Sequence, residues 1–208
     1  MSDIETTKEL LFGIAAREKI LEGVDTLANA VKVTMGPRGQ NVVIERPQRA
    51  PHLTKDGVTV AKAVNLRGKF QNLGVQMIKE AAARTAEVAG DGTTTATVLS
   101  QALYSEGLKM IAAGYSATEL QRGIMIGTDL VIESLKSNAV NVTSDEEIIQ
   151  VGTISANGDS EVATLLCKAM SEVGRDGTIA VEEAKGFDTT LDVVEGMEID
   201  RGFMSPYF

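Results

Sequence analysis

Apolar side chains at Ile20, Val24, Leu27, Ala28 and Val31 recur at three- and four-residue intervals, the spacing of one face of a helix. That helix has to stop at Gly36 and Pro37, because proline has no N–H to donate and disfavours a helical residue before it. A short strand is expected over 41–44. A turn over 47–51, holding the only histidine, His52, at its far edge, then leads back to Lys55 and Asp56. Farther on, Val98, Leu99, Ala102 and Leu103 place a helix directly after a Gly-Asp-Gly loop, and Gly114 ends it near Ala113. Ser116 and Glu119 have the spacing of a capping box and open a long helix to about Lys136. Its stripe of Leu120, Ile124, Gly127, Val131 and Leu135 is expected to lie on a core.

A polar link over 137–143 marks a domain boundary. Ser144 and Glu147 form a second capping-box pattern ahead of two short helices, 144–155 and 160–173, the latter closed by Gly174. From Gly177 the period changes to two: Thr178 to Glu182 alternates, and Leu191 to Val194 repeats the tendency until Gly196 interrupts it. The predicted class is mainly α with small β elements, an α+β chain.

The stretch 89–99, Ala-Gly-Asp-Gly-Thr-Thr-Thr-Ala-Thr-Val-Leu, carries the most specific chemistry. Gly90 and Gly92 free backbone N–H groups at the positive end of a helix dipole, which is a cradle for phosphate. Thr93, Thr94 and Thr95 add neutral donors, and Asp91 offers a hard oxygen suited to Mg²⁺. A P-loop is excluded, since no lysine follows the final glycine. An ordinary helix cap is the competing reading, but three successive threonines are poor helix formers and point to a local task. Lys55-Asp56-Gly57 has two readings as well: a plain β-turn, or a cation beside the terminal phosphate followed by a carboxylate for the hydrolytic water.

Three motifs in order, Thr-Met-Gly-Pro-Arg-Gly-Gln-Asn-Val-Val (34–43), Thr-Lys-Asp-Gly-Val-Thr-Val-Ala (54–61) and the 89–99 loop, resemble the N-terminal half of a group I chaperonin subunit. Val-Gly-Thr-Ile-Ser-Ala-Asn (151–157) and the segment 192–208 extend the resemblance to the last residue. It implies a helical equatorial ATPase domain over 1–137, an α/β intermediate domain over 138–194 and the beginning of an apical, substrate-binding domain over 195–208. It further implies ATP and Mg²⁺ as cofactors, with Thr34, Met35, Gly36 and Pro37 around sugar and phosphates. Lys55 would lie near the terminal phosphate, Gly92, Thr93, Thr94 and Thr95 on phosphate oxygens, Asp91 on the metal, and Asp56 would be catalytic.

Gly196 falls at the expected apical hinge, where a β-bulge glycine is the alternative. Phe203, Tyr207 and Phe208 match part of the client-binding surface, or else belong to an ordinary core strand. The implied partners are identical subunits in seven-membered rings, a small lid co-chaperonin and unfolded client proteins. Met35 and Arg38 stand where leucine and lysine are common in that family, Asn141 where proline is usual, and Phe203 and Met204 where tyrosine and leucine are usual. A subunit of that family is also much longer, its C-terminal part supplying adenine contacts and a second aspartate, so the resemblance implies a fragment or a truncated product. Two other classes remain at this stage: a soluble NTPase or kinase of unrelated purpose, and a non-enzymatic subunit that only binds partners.

Composition narrows this picture. The 208 residues are 43% hydrophobic but only 4% aromatic with no Trp, so aliphatic helix packing should build the core. A net charge of −9 argues against non-specific nucleic-acid binding. The single cysteine, Cys167, forms no internal disulfide and is expected as a buried spectator in a reducing compartment. The N-terminus mixes acidic and basic residues without a leader pattern, and no apolar run reaches the roughly 18 residues needed to span a membrane. A cytoplasmic protein, without membrane or nucleic-acid partners, is expected.

Overall fold

The computed structural model describes residues 8–174, 177–181 and 189–193. Among them seven helices and one two-stranded sheet run in the order α1 (Gly13–Lys32), β1 (Val42–Ile44), β2 (His52–Thr54), α2 (Gly57–Ala63), α3 (Lys69–Ala89), α4 (Thr93–Ala112), α5 (Ala117–Asn138), α6 (Asp145–Ser155) and α7 (Ser160–Val173). The mainly α character with a small β element matches the expectation. The chain divides into two compact units at Ala139 and Val140.

In the first unit α1 is the centre. Val24, Leu27, Ala28 and Val31, four of the five periodic positions, are buried on its inner face. Val24, Leu27 and Val31 pack with Val60 and Ala61 of α2 and with Val75 and Ile78 of α3. The approach of α1 and α3 is set by two glycines. A β-carbon on Gly23 would collide with the backbone oxygen of Gln71, and one on Gly74 with that of Ile20. Each helix therefore presents a gap into which the other's backbone fits, a crossing that any side chain would push apart. The helix α3 carries no mark in the reading by apolar spacing, yet it supplies much of the core.

Helix α4 faces inward differently from expectation. Val98 is half-buried, Leu99 and Leu103 are exposed, and the buried positions are Thr93, Thr97 and Gln101. These three lie four residues apart on one stripe. Thr97 donates its hydroxyl to the Thr93 carbonyl oxygen at 2.9 Å, and Gln101 donates from Nε2 to Asp25 Oδ1 of α1 at 2.6 Å. These two bonds offset part of the desolvation cost of the polar stripe, while Gln101 Oε1 is buried without a hydrogen-bond partner among the described residues.

Helix α5 overturns a second expectation. Among its described residues none is buried, and Ile124, Val131 and Leu135 of the predicted stripe are exposed, as are Met125, Ile126, Leu130 and Ile132. Periodicity shows that a face is apolar but not that the chain itself covers it. Ser116 does sit at the N-cap of α5, but its side chain makes no capping bond, and Glu119 instead pairs with Arg122 at 2.9 Å, so the first capping box does not form.

The antiparallel hairpin β1–β2 pairs Val42 with Thr54, Val43 with Leu53 and Ile44 with His52. His52, expected at the edge of a surface turn, is thus a half-buried strand residue. In the second unit the capping box of α6 forms: Glu147 N donates to Ser144 Oγ at 3.3 Å and Ser144 N to Glu147 Oε2 at 3.1 Å. Asp159 caps α7, and Cys167 is buried, its Sγ 3.8 Å from the Asp145 carbonyl oxygen. The two strands expected from 178 onward do not form within residues 177–181 and 189–193. Alternation fits a residue to a pleated surface, but a strand also requires a neighbour to pair with, and no described residue pairs with these segments.

The glycine crossing generates a prediction. An isolated Gly→Ala change inside a helix should stabilise by roughly 0.5–1 kcal/mol. Gly107→Ala on α4, where an added β-carbon meets nothing within 4 Å, should follow that rule. Gly74→Ala should instead destabilise by about 1–3 kcal/mol, because backbone rather than a flexible side chain has to yield. Thermal unfolding of the two variants beside the parent checks the opposite signs; equal shifts would dissolve the crossing as the organising contact.

Candidate functional site

Two of the motifs, 54–61 and 89–99, meet the end of the helix that leads into the third at one corner of the first unit. The meeting point is Gly57, the first residue of α2, where a β-carbon would fall on Thr94 Oγ1 of α4 and lie 3.2 Å from Val31 Cγ1 of α1. The C-terminal end of α1 and the N-terminal ends of α2 and α4 therefore converge. Gly57 is buried, so the contact is a packed one.

The loop leaving α1 folds back on itself. Thr34, 6% exposed, donates from both its N–H and its hydroxyl to the Val31 carbonyl oxygen, at 3.0 and 2.8 Å. Gly36 takes a left-handed φ of +74°, Gly39 N donates to Gly36 O at 2.9 Å, and Gln40 N donates to Val33 O at 2.7 Å. A β-carbon on Gly39 would overlap the Thr34 carbonyl oxygen, so this turn closes only with glycine. Met35 and Pro37 are exposed on its outside, and α1 itself ends at Lys32, before the expected stop.

Asp56 is the N-cap of α2. Its Oδ1 accepts from Val58 N at 3.2 Å, and its Oδ2 accepts from Thr59 N at 2.9 Å and from the Thr59 hydroxyl at 2.6 Å. Its own N–H donates to Thr54 Oγ1 at 3.0 Å, which ties the end of β2 to the start of α2. Partial burial pushes this carboxyl up. The Thr59 hydroxyl, the N–H groups of Thr59 and Val58 and the charge of Lys62 outweigh that and hold it below the usual aspartate value. Asp56 is thus a fixed anion at neutral pH. The β-turn reading of Lys55-Asp56-Gly57 gives way to a helix start, and Lys55 lies half-buried beside it. At the opposite end of α2, Lys79 of α3 donates to the Lys62 carbonyl oxygen at 3.0 Å and to Asn65 Oδ1 at 3.2 Å.

The Gly90–Gly92 turn joins α3 to α4 with left-handed φ of +73° and +81° at its two glycines. Gly92 is the N-cap of α4 and offers no capping side chain; the first bond of the helix ladder runs from Ala96 N to Gly92 O at 2.9 Å. The N–H groups of Thr93, Thr94 and Thr95 lie ahead of that ladder, and open space surrounds Gly90, where an added β-carbon meets nothing within 4 Å. Asp91 is exposed and accepts from Gly92 N through Oδ1 at 2.6 Å. A helix start capped by glycine, beside an open turn and an exposed carboxylate, fits phosphate oxygens and a hard cation together. Among the described residues no group of three or more His, Cys, Asp or Glu could hold a metal, so a cation at Asp91 would depend on ligands outside the protein.

Sequence reasoning missed Thr54, Thr59 and Lys79. The Asp-x-x-Thr spacing of a cap was available for Thr59; for Lys79, seventeen residues from Lys62, no local signal exists. Gly196, Phe203, Tyr207 and Phe208 lie outside the described residues.

Comparison with known proteins agrees with this architecture. Residues 27–207 match the model of the TCP-1/cpn60 chaperonin family, and the chain belongs to that family. Among solved structures, a group III chaperonin in the open state is 26% identical, with a TM-score of 0.64 over 77% of this chain and 32% of that one. The chaperonin gp146 from the bacteriophage EL 2 of Pseudomonas aeruginosa, crystallised in the presence of ATP-BeFx, is similar in two crystal forms. One is 29% identical with a TM-score of 0.68, covering 85% of this chain and 32% of gp146. The other is 30% identical with a TM-score of 0.64, covering 79% and 29%. The chain thus spans about a third of the length of these chaperonins. No helix among its described residues is long and apolar enough to cross a membrane.

The cap geometry predicts a pH-dependent loss of stability. Asp56→Ala should cost about 0.5–2 kcal/mol at neutral pH, the usual range for a lost N-cap. Because the folded-state pKa of Asp56 is lowered, its contribution is fully present above the unfolded-state value and disappears as pH falls through the lower folded value. Urea unfolding of parent and variant should therefore differ at pH 7 and converge as pH falls through the lowered folded-state value. A difference that persists unchanged in acid would show that the carboxylate charge does not contribute.

Proposed function

We propose that this chain carries the N-terminal part of an ATP-driven chaperonin of the group I type, with an equatorial nucleotide site at the corner around Gly57. The observation that carries the reading is the convergence of the C-terminal end of α1 at Val31, the Asp56-capped start of α2 and the glycine-capped start of α4, three segments distant in sequence, on one buried glycine, with the 34–37 loop following Val31 by three residues. The family match supports the chaperone class, and the presence of ATP-BeFx with gp146 supports the nucleotide.

In this reading Thr34, Met35, Gly36 and Pro37 wrap the sugar and phosphates. Gly92, Thr93, Thr94 and Thr95 donate to the phosphate oxygens from the positive end of α4. Lys55 offsets charge near the terminal phosphate, and Asp91 tethers Mg²⁺ as a single carboxylate whose remaining shell comes from phosphate and water. When bound, Mg²⁺-ATP supplies the phosphoryl group and the metal that neutralises charge developing on it. Asp56 orients the attacking water. Held anionic by three donors, it acts mainly as a fixed hydrogen-bond acceptor.

Hydrolysis would then drive rigid-body domain movements about the links near 137–143 and Gly196, switching between binding and enclosing non-native polypeptides. Residues 1–137, 138–194 and 195–208 would belong to equatorial, intermediate and apical domains. Phe203, Tyr207 and Phe208 would grip clients. Identical subunits in seven-membered cytoplasmic rings and a small lid co-chaperonin complete the proposal. The exposed apolar residues of α5 support work inside a larger assembly, since a surface of that kind is rarely left open to water.

Two measurements test the site. In the complete subunit, Asp56→Ala should lower ATP turnover by about two orders of magnitude or more, with nucleotide affinity little changed; turnover within threefold of the parent would remove Asp56 from the chemistry. Asp91→Ala should weaken binding of Mg²⁺-ATP while leaving metal-free nucleotide binding nearly unaltered. Calorimetry that finds the Mg²⁺ dependence intact would return Asp91 to a purely structural role in the turn.

A further inference from the structure

The Asp56 carboxylate is not symmetrically occupied. An ionised carboxylate has about four acceptor positions, two on each oxygen. Oδ2 receives two donors, Thr59 N at 2.9 Å and Thr59 Oγ1 at 2.6 Å, whereas Oδ1 receives Val58 N alone at 3.2 Å. Both donors on Oδ2 come from one residue, three positions along α2, and the hydroxyl bond is the shortest of the three.

We propose that Thr59 is a positioning residue of the nucleotide site: its hydroxyl saturates Asp56 Oδ2 and locks the carboxylate so that Oδ1 is the oxygen left to receive a further donor. This rests on the ATPase reading above and deepens it by assigning the working atom. A backbone N–H fixes the carboxylate only as well as the helix terminus is fixed, whereas a second bond from the same residue to the same oxygen also resists rotation about the bond to the carboxyl carbon. Without the hydroxyl, Oδ2 gains a free acceptor position and competes with Oδ1 for the water. Misplacing a reacting group by a fraction of an ångström to one ångström costs tenfold to a hundredfold in rate.

The surroundings allow the hydroxyl to be tested by itself. Lys62 on α2 lowers the Asp56 carboxyl through its charge, and Lys55 adjoins it in sequence. From the elements packed around α2, α1 brings Val31 and α4 brings Thr94, both uncharged, to Gly57, while the Lys79 ammonium of α3 sits at the far end on the Lys62 carbonyl. None of these groups changes in Thr59→Val, which is nearly isosteric and keeps the backbone N–H, or in Thr59→Ser, which keeps the hydroxyl as well.

The experiment has two arms, a titration of the purified chain and kinetics on the complete subunit. In the nucleotide-free state, the Asp56 carboxyl carbon is titrated by NMR in the parent, Thr59→Val and Thr59→Ser. Thr59→Val should raise the midpoint and Thr59→Ser should restore it. With Mg²⁺-ATP, Thr59→Val should lower kcat about tenfold with KM within twofold of the parent, and Thr59→Ser should recover most of the rate. An Asp56 midpoint unmoved by Thr59→Val overturns the lock, and so does a Thr59→Ser variant that behaves like Thr59→Val. A moved midpoint with unchanged kcat overturns the positioning role. A complete parent subunit without turnover overturns the ATPase reading itself, an outcome distinct from the others because the titration arm does not depend on it.

Discussion

The close approach of α1 and α3 at Gly23 and Gly74 is the contact on which the first unit depends. Two helices that meet backbone to backbone leave little freedom in their separation or crossing, and everything attached to their ends inherits that placement. The C-terminal end of α1 leads into the Thr34 loop and presents Val31 to Gly57. The C-terminal end of α3 leads through Gly90 and Gly92 into α4. A side chain at either crossing glycine would widen the gap and move both ends, and with them the corner where the motifs meet.

Around that crossing, polar groups do work that apolar ones do elsewhere. Helix α4 packs through Thr93, Thr97 and Gln101, and the Gln101–Asp25 bond joins it to α1 at a defined register, which an oily stripe would not specify as sharply. The seven-residue helix α2 is too short to persist by its own propensity. It is held by the Asp56 cap at one end and by Lys79 on the Lys62 carbonyl at the other, with Val60 and Ala61 in the core between them. The residue proposed to orient water is therefore also the residue that begins the helix. Structural and chemical roles coincide in one carboxylate, which is why the acid dependence of stability and the loss of turnover are separate tests of it.

The family match and the exposure of α5 bear on each other. A helix with Ile124, Met125, Ile126, Leu130, Val131, Ile132 and Leu135 exposed is apolar around more than one side, a pattern of helices surrounded by protein. The match covers about a third of the length of each of the chaperonins that the chain resembles. Surface of this kind makes the chain's behaviour depend on what it is assembled with, and the proposed nucleotide corner lies at the ends of α1, α2 and α4 rather than on α5.

Much of this was legible in the sequence because it is local. The inner face of α1, the strand at 42–44, the Gly-Asp-Gly turn opening α4, the capping box at Ser144 and Glu147 and the burial of Cys167 follow from apolar periods and from residues whose dihedral or hydrogen-bonding preferences act within a few positions. Order and wording of the motifs carried the family. Tertiary structure decided what local preference leaves open. Glycines in α1 and α3 form a crossing only because two backbones meet there, and Lys79 finds Lys62 across a fold rather than along a chain. The stripe of α4 that turns inward is the one that bonds through Thr97 to its own backbone and through Gln101 to Asp25 of α1, and the stripe of α5 stays outside because nothing in the described residues covers it. Periodicity records which faces could be buried; which of them are is settled by the neighbours that arrive.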